Sequence, residues 1–267
     1  MLELKVDTIR AIIYSTIPLA GFLILWELLS GLAIIKPALF SSPSEIFLTI
    51  IDMAIKGELW QDIFTSLYRL IISFILAAVI GIGVGLLMGW SSLVHDLLDP
   101  IITFLMPIPG IAWTPIFLVW FGFGDPTLIP VGILVTFFPI VQNVAAATKA
   151  IDQKMVWAAR SLGANHQQVI SRVLLPHSSP YLLTGFKLGL ARGWRTIIAV
   201  ELIAGSKFGL GAMIFTAREF LQPYKIYAGI IMLAILYFSI ELLIKLIERV
   251  TIERWGMIDV GVFHEQQ

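Results

Sequence analysis

Six stretches of about 20 apolar residues, separated by polar or proline-bearing sequence, set the main constraint on how this chain can fold. They fall at about 11–29, 66–89, 97–121, 127–147, 181–204 and 226–247. At 1.5 Å per residue, a helix of this length covers a hydrocarbon layer about 30 Å thick. Hydrophobic residues make up 58% of the chain and charged residues 13%, against about 45–50% and about 25% in a soluble domain. The surplus apolar surface needs lipid. The expectation is an all-α integral membrane protein of about six transmembrane helices, forming one domain over residues 1–267.

The first run follows Lys5 and Arg10, as a signal peptide would, but it is long, carries Trp26 and Glu27 and lacks a clear cleavage site. It is expected to stay as a membrane helix. Loop cations set the orientation. Lys5, Arg10, Lys149, Lys154, Arg160, Arg172, Arg249 and Arg254 fall on one side, and Lys36, Lys56, Arg69, Lys207, Arg218 and Lys225 on the other. The richer side is read as cytoplasmic, which puts both termini inside the cell (inner) membrane. Residues 36–65 are then external, with an amphipathic run around Ser44 to Ile55 expected to form a short interfacial helix.

Several chemistries are disfavoured. Cysteine is absent and the net charge is zero, which removes thiol chemistry and any electrostatic case for nucleic acid. His95, His166, His177 and His264 are not at metal-ligand spacing. No G-x-x-x-x-G-K-[ST] phosphate loop and no nucleophile–base set occurs, so no catalytic site, metal or cofactor is expected in this chain.

Within the second run, Ser73, Ala77, Gly81, Gly85 and Gly89 recur every four residues. This strip of small residues suits close helix packing, either inside the chain or against a second copy. The third run contains Pro100, Pro107, Pro109 and Pro115. Each either kinks the helix or opens backbone groups towards a cavity, with Trp113 as a candidate lining group. The fifth run carries Lys187, Arg192, Arg195 and Glu201. The first two could extend to the headgroups, while Arg195 and Glu201 are deeper and are candidates for a path. At 100° per residue Trp194 and Glu201 share a face and Arg195 points elsewhere, so Arg195 and Glu201 should each find a partner on another helix. Gln142 and Asn143 in the fourth run also need satisfaction at depth.

Between the fourth and fifth runs lies a polar island, WAARSLGANHQQVISRVLLP, at 157–176. Residues from about Asp152 to Leu162 favour a helix, and Gly163 suits the left-handed position that ends one. Asn165 followed by Gln168 is a capping-box pattern for a second helix, which Pro176 should stop or kink. Ala158 and Ala159, three residues, Gly163, nine residues, then V-x-L-P at Val173 to Pro176 together resemble the EAA loop of permease subunits of binding-protein-dependent ATP-binding cassette (ABC) importers. PIPGIAWTPIFLVWFGFG and GWRTIIAVELIAG are similar to the nitrate, sulfonate and taurine branch, so the resemblance covers about residues 40–250. Trp157 departs from the pattern, which often has Glu there.

The resemblance implies a type I ABC importer permease-like bundle with the loop docking on a cytoplasmic ATPase subunit, which binds the ATP. Ala158, Ala159, Arg160, Gly163, Ala164 and Pro176 would serve that coupling, with Ala158, Ala159 and Gly163 close-packed. Pro107, Pro109, Trp113, Gln142, Asn143, Trp194, Arg195 and Glu201 are the candidates for the translocation path. The implied partners are an extracytoplasmic solute-binding protein, docking near Ser206 to Gln222, and a second permease subunit, as a homodimer. The implied solute is small, an anion such as nitrate, bicarbonate or a sulfonate, although proteins resembling this one also carry neutral vitamin or pyrimidine precursors. An ion-gradient-driven transporter using Glu201 as its protonatable group, and a noncatalytic membrane scaffold, remain the alternatives.

Overall fold

The computed structural model describes residues 17–18, 20–32, 39–150, 153–169, 172–173 and 175–254. Every regular element among them is helical: α1 (Ala20–Gly31), α2 (Pro43–Lys56), α3 (Glu58–Trp90), α4 (Ser92–Leu105), α5 (Gly110–Phe121), α6 (Asp125–Lys149), α7 (Gln153–Ser161), α8 (His166–Val169), α9 (Leu175–Glu201), α10 (Leu210–Glu219) and α11 (Pro223–Arg254). The expected amphipathic helix is α2. Ser42 caps it by accepting from the Glu45 amide at 3.2 Å, Pro43 occupies its first turn, and Gly57 ends it at φ 83°.

At 33 residues, α3 is about 50 Å long and exceeds the hydrocarbon thickness, so its first turns project beyond it. α3, α6 and α11 are long and apolar enough to cross a membrane. The start of the first expected span lies outside the described residues, where the described apolar helix is Ala20–Gly31. The third expected span is not one kinked helix. α4 and α5 meet at 98°, forming a broken span or a re-entrant pair. The fifth span is α9, whose 27 residues are long enough, but Lys187, Arg192, Arg195 and Glu201 lower its hydropathy.

α6 is the axis of the bundle and packs chiefly against α3 on one side and α9 on the other. The small-residue strip of α3 makes the first contact: a Cβ at Gly81 would lie 2.9 Å from Ile140, and one at Gly85 would lie 2.6 Å from the Val144 Cβ and 2.8 Å from the Val141 carbonyl. Gly89 abuts Thr148. A second strip that the sequence reading did not pick out, Gly185, Gly189 and Gly193 of α9, approaches α6 at Asn143, Ile140 and Thr136. Lipid gives apolar helices no hydrophobic reason to associate, so dispersion contact between closely approaching backbones holds the three together. The outer faces remain apolar and uncovered, as at Phe104, Val119, Trp120 and Phe238.

Candidate functional site

The break between α4 and α5 follows from its residues. Pro107 and Pro109 donate no backbone hydrogen bond, and Pro109 takes the extended conformation (φ −58°, ψ 135°) of a cap residue, supplying no side-chain cap. Gly110 then starts α5 wedged against Val135 of α6 and Thr196 of α9, where a Cβ would collide with both. Ala112 donates to the Pro109 carbonyl at 2.9 Å, while the Gly110 and Ile111 amides find no acceptor among the described residues.

A cavity of about 440 Å³ opens beside this break. Pro107, Pro109 and Ile111 form one wall, Val135 and Phe138 another, and α9 contributes Arg192 and Arg195. Three residues apart, the two guanidiniums lie on one helix face. Neither has a hydrogen-bond or ion-pair partner among the described residues. Lys187 differs, being paired with Glu248 of α11.

Pro107, Pro109 and Arg195 therefore line one cavity, with Arg192 beside them. The other path candidates do not line this cavity. Trp113 packs with Leu128, Val131 and Val200. Trp194, 5% exposed, belongs to the core formed with Met53, Ile63 and Leu70. Asn143 donates to the Pro139 carbonyl at 2.8 Å and faces Gly185, and Gln142 is half-buried beside it. For Trp113, Trp194 and Asn143 the helix face is filled by a neighbouring helix that the sequence could not register.

Glu201 is also relocated, into a buried polar network at the end of the bundle opposite α7. Arg69 of α3 reaches the Glu201 carboxylate with Nη1 at 2.6 Å and Asp125 of α6 with Nε at 2.7 Å. It also donates to the Phe208 carbonyl at 2.8 Å and to Ser206 Oγ at 2.7 Å. Ser66 Oγ and the Gly211 amide donate to Glu201 at 2.9 Å. The Gly209 amide donates to Asp62 at 2.9 Å. The Glu201 side chain is fully buried and Arg69 nearly so, while Asp125 is 45% exposed. Glu201 thus has its partner on another helix, as the helical geometry requires. The segment expected as an external loop, 206–222, is tied down here and forms α10. The sequence reading counted Arg69 only as a loop cation. The signal was present: extending the strip of small residues back four from Ser73 reaches Arg69.

At the other end, α7 and α8 form the expected helix pair. Gly163 adopts φ 84°, its amide donates to the Arg160 carbonyl at 2.9 Å, and Ala164 donates to Ala159 at 3.0 Å, which is the Schellman pattern. The capping box is reciprocal: Asn165 donates to Gln168 Oε1 at 2.8 Å and Gln168 to Asn165 Oδ1 at 2.9 Å. Val156 and Val169 bury against each other, flanked by Ala159 and Ala164. Ala158 and Arg160 are exposed, as are Trp157 at 63% and Leu162 at 90%. A Cβ at Gly163 would meet nothing of this chain within 4 Å, so within the chain this glycine is required for its backbone angle. The second helix is described over His166–Val169, and Pro176 is the second residue of α9 as described. Asp152 lies outside the described residues.

Comparison with known proteins agrees with this architecture. The chain is 36% identical over 245 residues to the taurine transport system permease protein TauC of Escherichia coli, covering 90% of this chain and 89% of TauC. It is 33% identical to the bicarbonate transport system permease protein CmpB of Synechococcus elongatus, over 83% of this chain and 82% of CmpB. An inward-facing structure of the MetNI methionine ABC transporter superposes with a TM-score of 0.55 at 20% identity, covering 72% of this chain and 97% of that one, which shows a shared fold. Residues 77–252 match the family model described as binding-protein-dependent transport system inner membrane component. This protein therefore belongs to the family of inner-membrane permease components of binding-protein-dependent ABC transport systems.

Proposed function

We propose that this chain is the membrane half of an importer for a small anion such as nitrate, bicarbonate or a sulfonate, driven by a separate cytoplasmic ATPase through α7 and α8. The observation that carries the reading is the construction of that helix pair. A Schellman turn and a closed capping box fix the two helices against each other, and the fixed pair presents Trp157, Arg160 and Leu162 to water. Large apolar side chains held open on a rigid polar knob suit docking into a groove on another subunit. Ala158, Ala159, Ala164 and Pro176 then shape the knob and its return into α9. Trp157 replaces an acidic contact with an apolar one.

ATP binding would bring two ATPase subunits together and move the knobs. α9 begins six residues after α8 ends, so displacement passes directly into the helix that carries Arg192 and Arg195. Access to the cavity beside the break would then alternate between the two membrane faces. A loaded external binding protein shifts this equilibrium only through better binding to one state, and the end carrying α10 is the surface assigned to it. Both termini would be cytoplasmic and the complex would contain two copies of this chain. Removing Arg69 from the external cations, since it is buried in an ion pair, strengthens the cytoplasmic bias.

The ion-gradient alternative loses its candidate residue. Glu201 is held by Arg69, and no carboxylate lines the cavity among the described residues. The test is reconstitution of the chain in proteoliposomes with the ATPase and binding protein encoded beside it. Uptake should require ATP and both partners. Uptake that persists without the ATPase and collapses with the proton gradient would refute the proposal.

A further inference from the structure

The cavity beside the α4–α5 break carries two arginines that make no ion pair or hydrogen bond with the described residues. We propose that it is a stopping place for the cargo's anionic head group, an oxyanion such as a sulfonate, carboxylate or nitrate, held between Arg192, Arg195 and the open amide end of α5. This inference rests on the importer reading, since it treats the cavity as part of the path.

Three independent features converge there. First, Arg192 and Arg195 are about 4.5 Å apart along the helix axis, line the same cavity and have no counter-ion among the described residues. Cations at membrane depth are expected to pair with acids, and Lys187 and Arg69 do so. Second, α5 directs its amino end at the cavity without a side-chain cap, and the Gly110 and Ile111 amides have no acceptor. The amino end of a half-helix carries partial positive charge and suits an anion, and broken helices in transporters use it this way. Third, apart from Thr196 the rest of the wall is apolar, including Ile108, Val135 and Phe138; it holds no competing acid and accommodates a short carbon tail. Three other clefts in the described chain each contain a carboxylate: Glu58 and Asp62, Asp125, or Glu241; Arg195 also borders the last of these, where Glu241 is paired with Lys245.

The chemistry selects for charge and shape. A guanidinium presents two parallel donors that match two oxygens of a sulfonate or carboxylate, and a second guanidinium with two amides can take the third. A neutral solute would leave these donors unsatisfied. About 440 Å³ lies at the small end of ligand cavities, so the cargo should be a head group with at most a few carbons. A held anion must also leave, and the movement of α9 that opens the cavity to the other face would separate the arginines from the amide end of α5.

The chain contains no cysteine, so a single introduced thiol reports the local charge cleanly. Ile111→Cys, at a position 40% exposed on the cavity wall, is made in the full chain in membrane vesicles and treated with a sulfonate-bearing or a trimethylammonium-bearing methanethiosulfonate. After normalisation to their rates with a free thiol, the anionic reagent should react at least about tenfold faster. That preference should disappear in Arg192→Gln/Arg195→Gln and persist in Arg192→Lys/Arg195→Lys. Ala199→Cys, on the opposite wall, repeats the measurement if the first variant does not insert. Equal rates, a preference that survives the double Gln substitution, or no labelling by either reagent would overturn the proposal. A separate arm measures ATP-dependent uptake of labelled taurine, bicarbonate and nitrate by the reconstituted complex. Uptake without the labelling preference sinks the anion site alone, and the preference without any uptake sinks the importer reading and with it the cavity's role as a stop for cargo.

Discussion

Replacing Arg69 with methionine removes the cation at the centre of the buried network and leaves the Glu201 carboxyl without its partner in a site with no solvent exposure. Breaking a buried pair by deleting one partner costs about 3–5 kcal/mol, because the remaining charge is neither solvated nor compensated. Loss of the donor to the Phe208 carbonyl adds about 1 kcal/mol. Asp125 rehydrates, being 45% exposed, and contributes little. The expected destabilisation is therefore about 4–6 kcal/mol. Combining Arg69→Met with Glu201→Met removes both charges and should cost much less than the sum of the single substitutions, since apolar replacement of a whole buried pair is often neutral. Unfolding of the purified chain by sodium dodecyl sulfate in mixed micelles, followed by near-ultraviolet circular dichroism of Trp194 and the other tryptophans, measures all four corners of the cycle. A single Arg69→Met variant within about 1 kcal/mol of the wild type, or a double variant as costly as the two singles added, would refute the assignment of Glu201 as a charge dependent on Arg69.

Gly85→Val forces a Cβ to within 2.6 Å of the Val144 Cβ and 2.8 Å of a carbonyl, so α3 must separate from α6. A loss of about 2–3 kcal/mol is expected in the same unfolding assay, and a neutral result would show that the two helices do not approach this closely. Gly163→Asn should retain association with the ATPase, because asparagine tolerates the left-handed backbone and the position has free space. Gly163→Arg should weaken that association at least tenfold in a pull-down, and normal association with normal transport would remove the loop from the coupling role. Trp157→Ala should leave stability within about 0.5 kcal/mol, since the ring is 63% exposed, yet weaken ATPase binding by about thirtyfold. A stability loss without a binding loss would place the ring in the fold instead.

The legible part of the site was local. Gly163, Asn165 and Gln168 act through hydrogen bonds within a few residues, so spacing alone specified their turn and cap, and the structure reproduces both. The four-residue strip on α3 was readable for the same reason, as periodicity requires no partner. Less accessible was the break in the third span. Four prolines indicated disruption, but a 98° bend depends on Gly110 being gripped by Val135 and Thr196, which are distant in sequence. Trp113, Trp194 and Glu201 are path candidates from sequence alone, but the two indoles pack into cores built with other helices and Glu201 pairs with Arg69 of α3.

The sequence by itself determined that this chain spans lipid as a helical bundle and carries a capped helix pair outside it, because hydropathy, periodicity and local hydrogen bonding are properties of neighbouring residues. It also determined that Glu201 must look to another helix. Only the tertiary structure decided which charges are neutralised and which stay open. Arg69, 132 residues from Glu201, meets it because two glycine strips bring α3, α6 and α9 together in one register. Arg192 and Arg195 form no ion pair among the described residues, and the same register places both on the cavity beside the broken helix. Electrostatic pairing is set by distance in space, and close backbone packing of the three central helices fixes those distances.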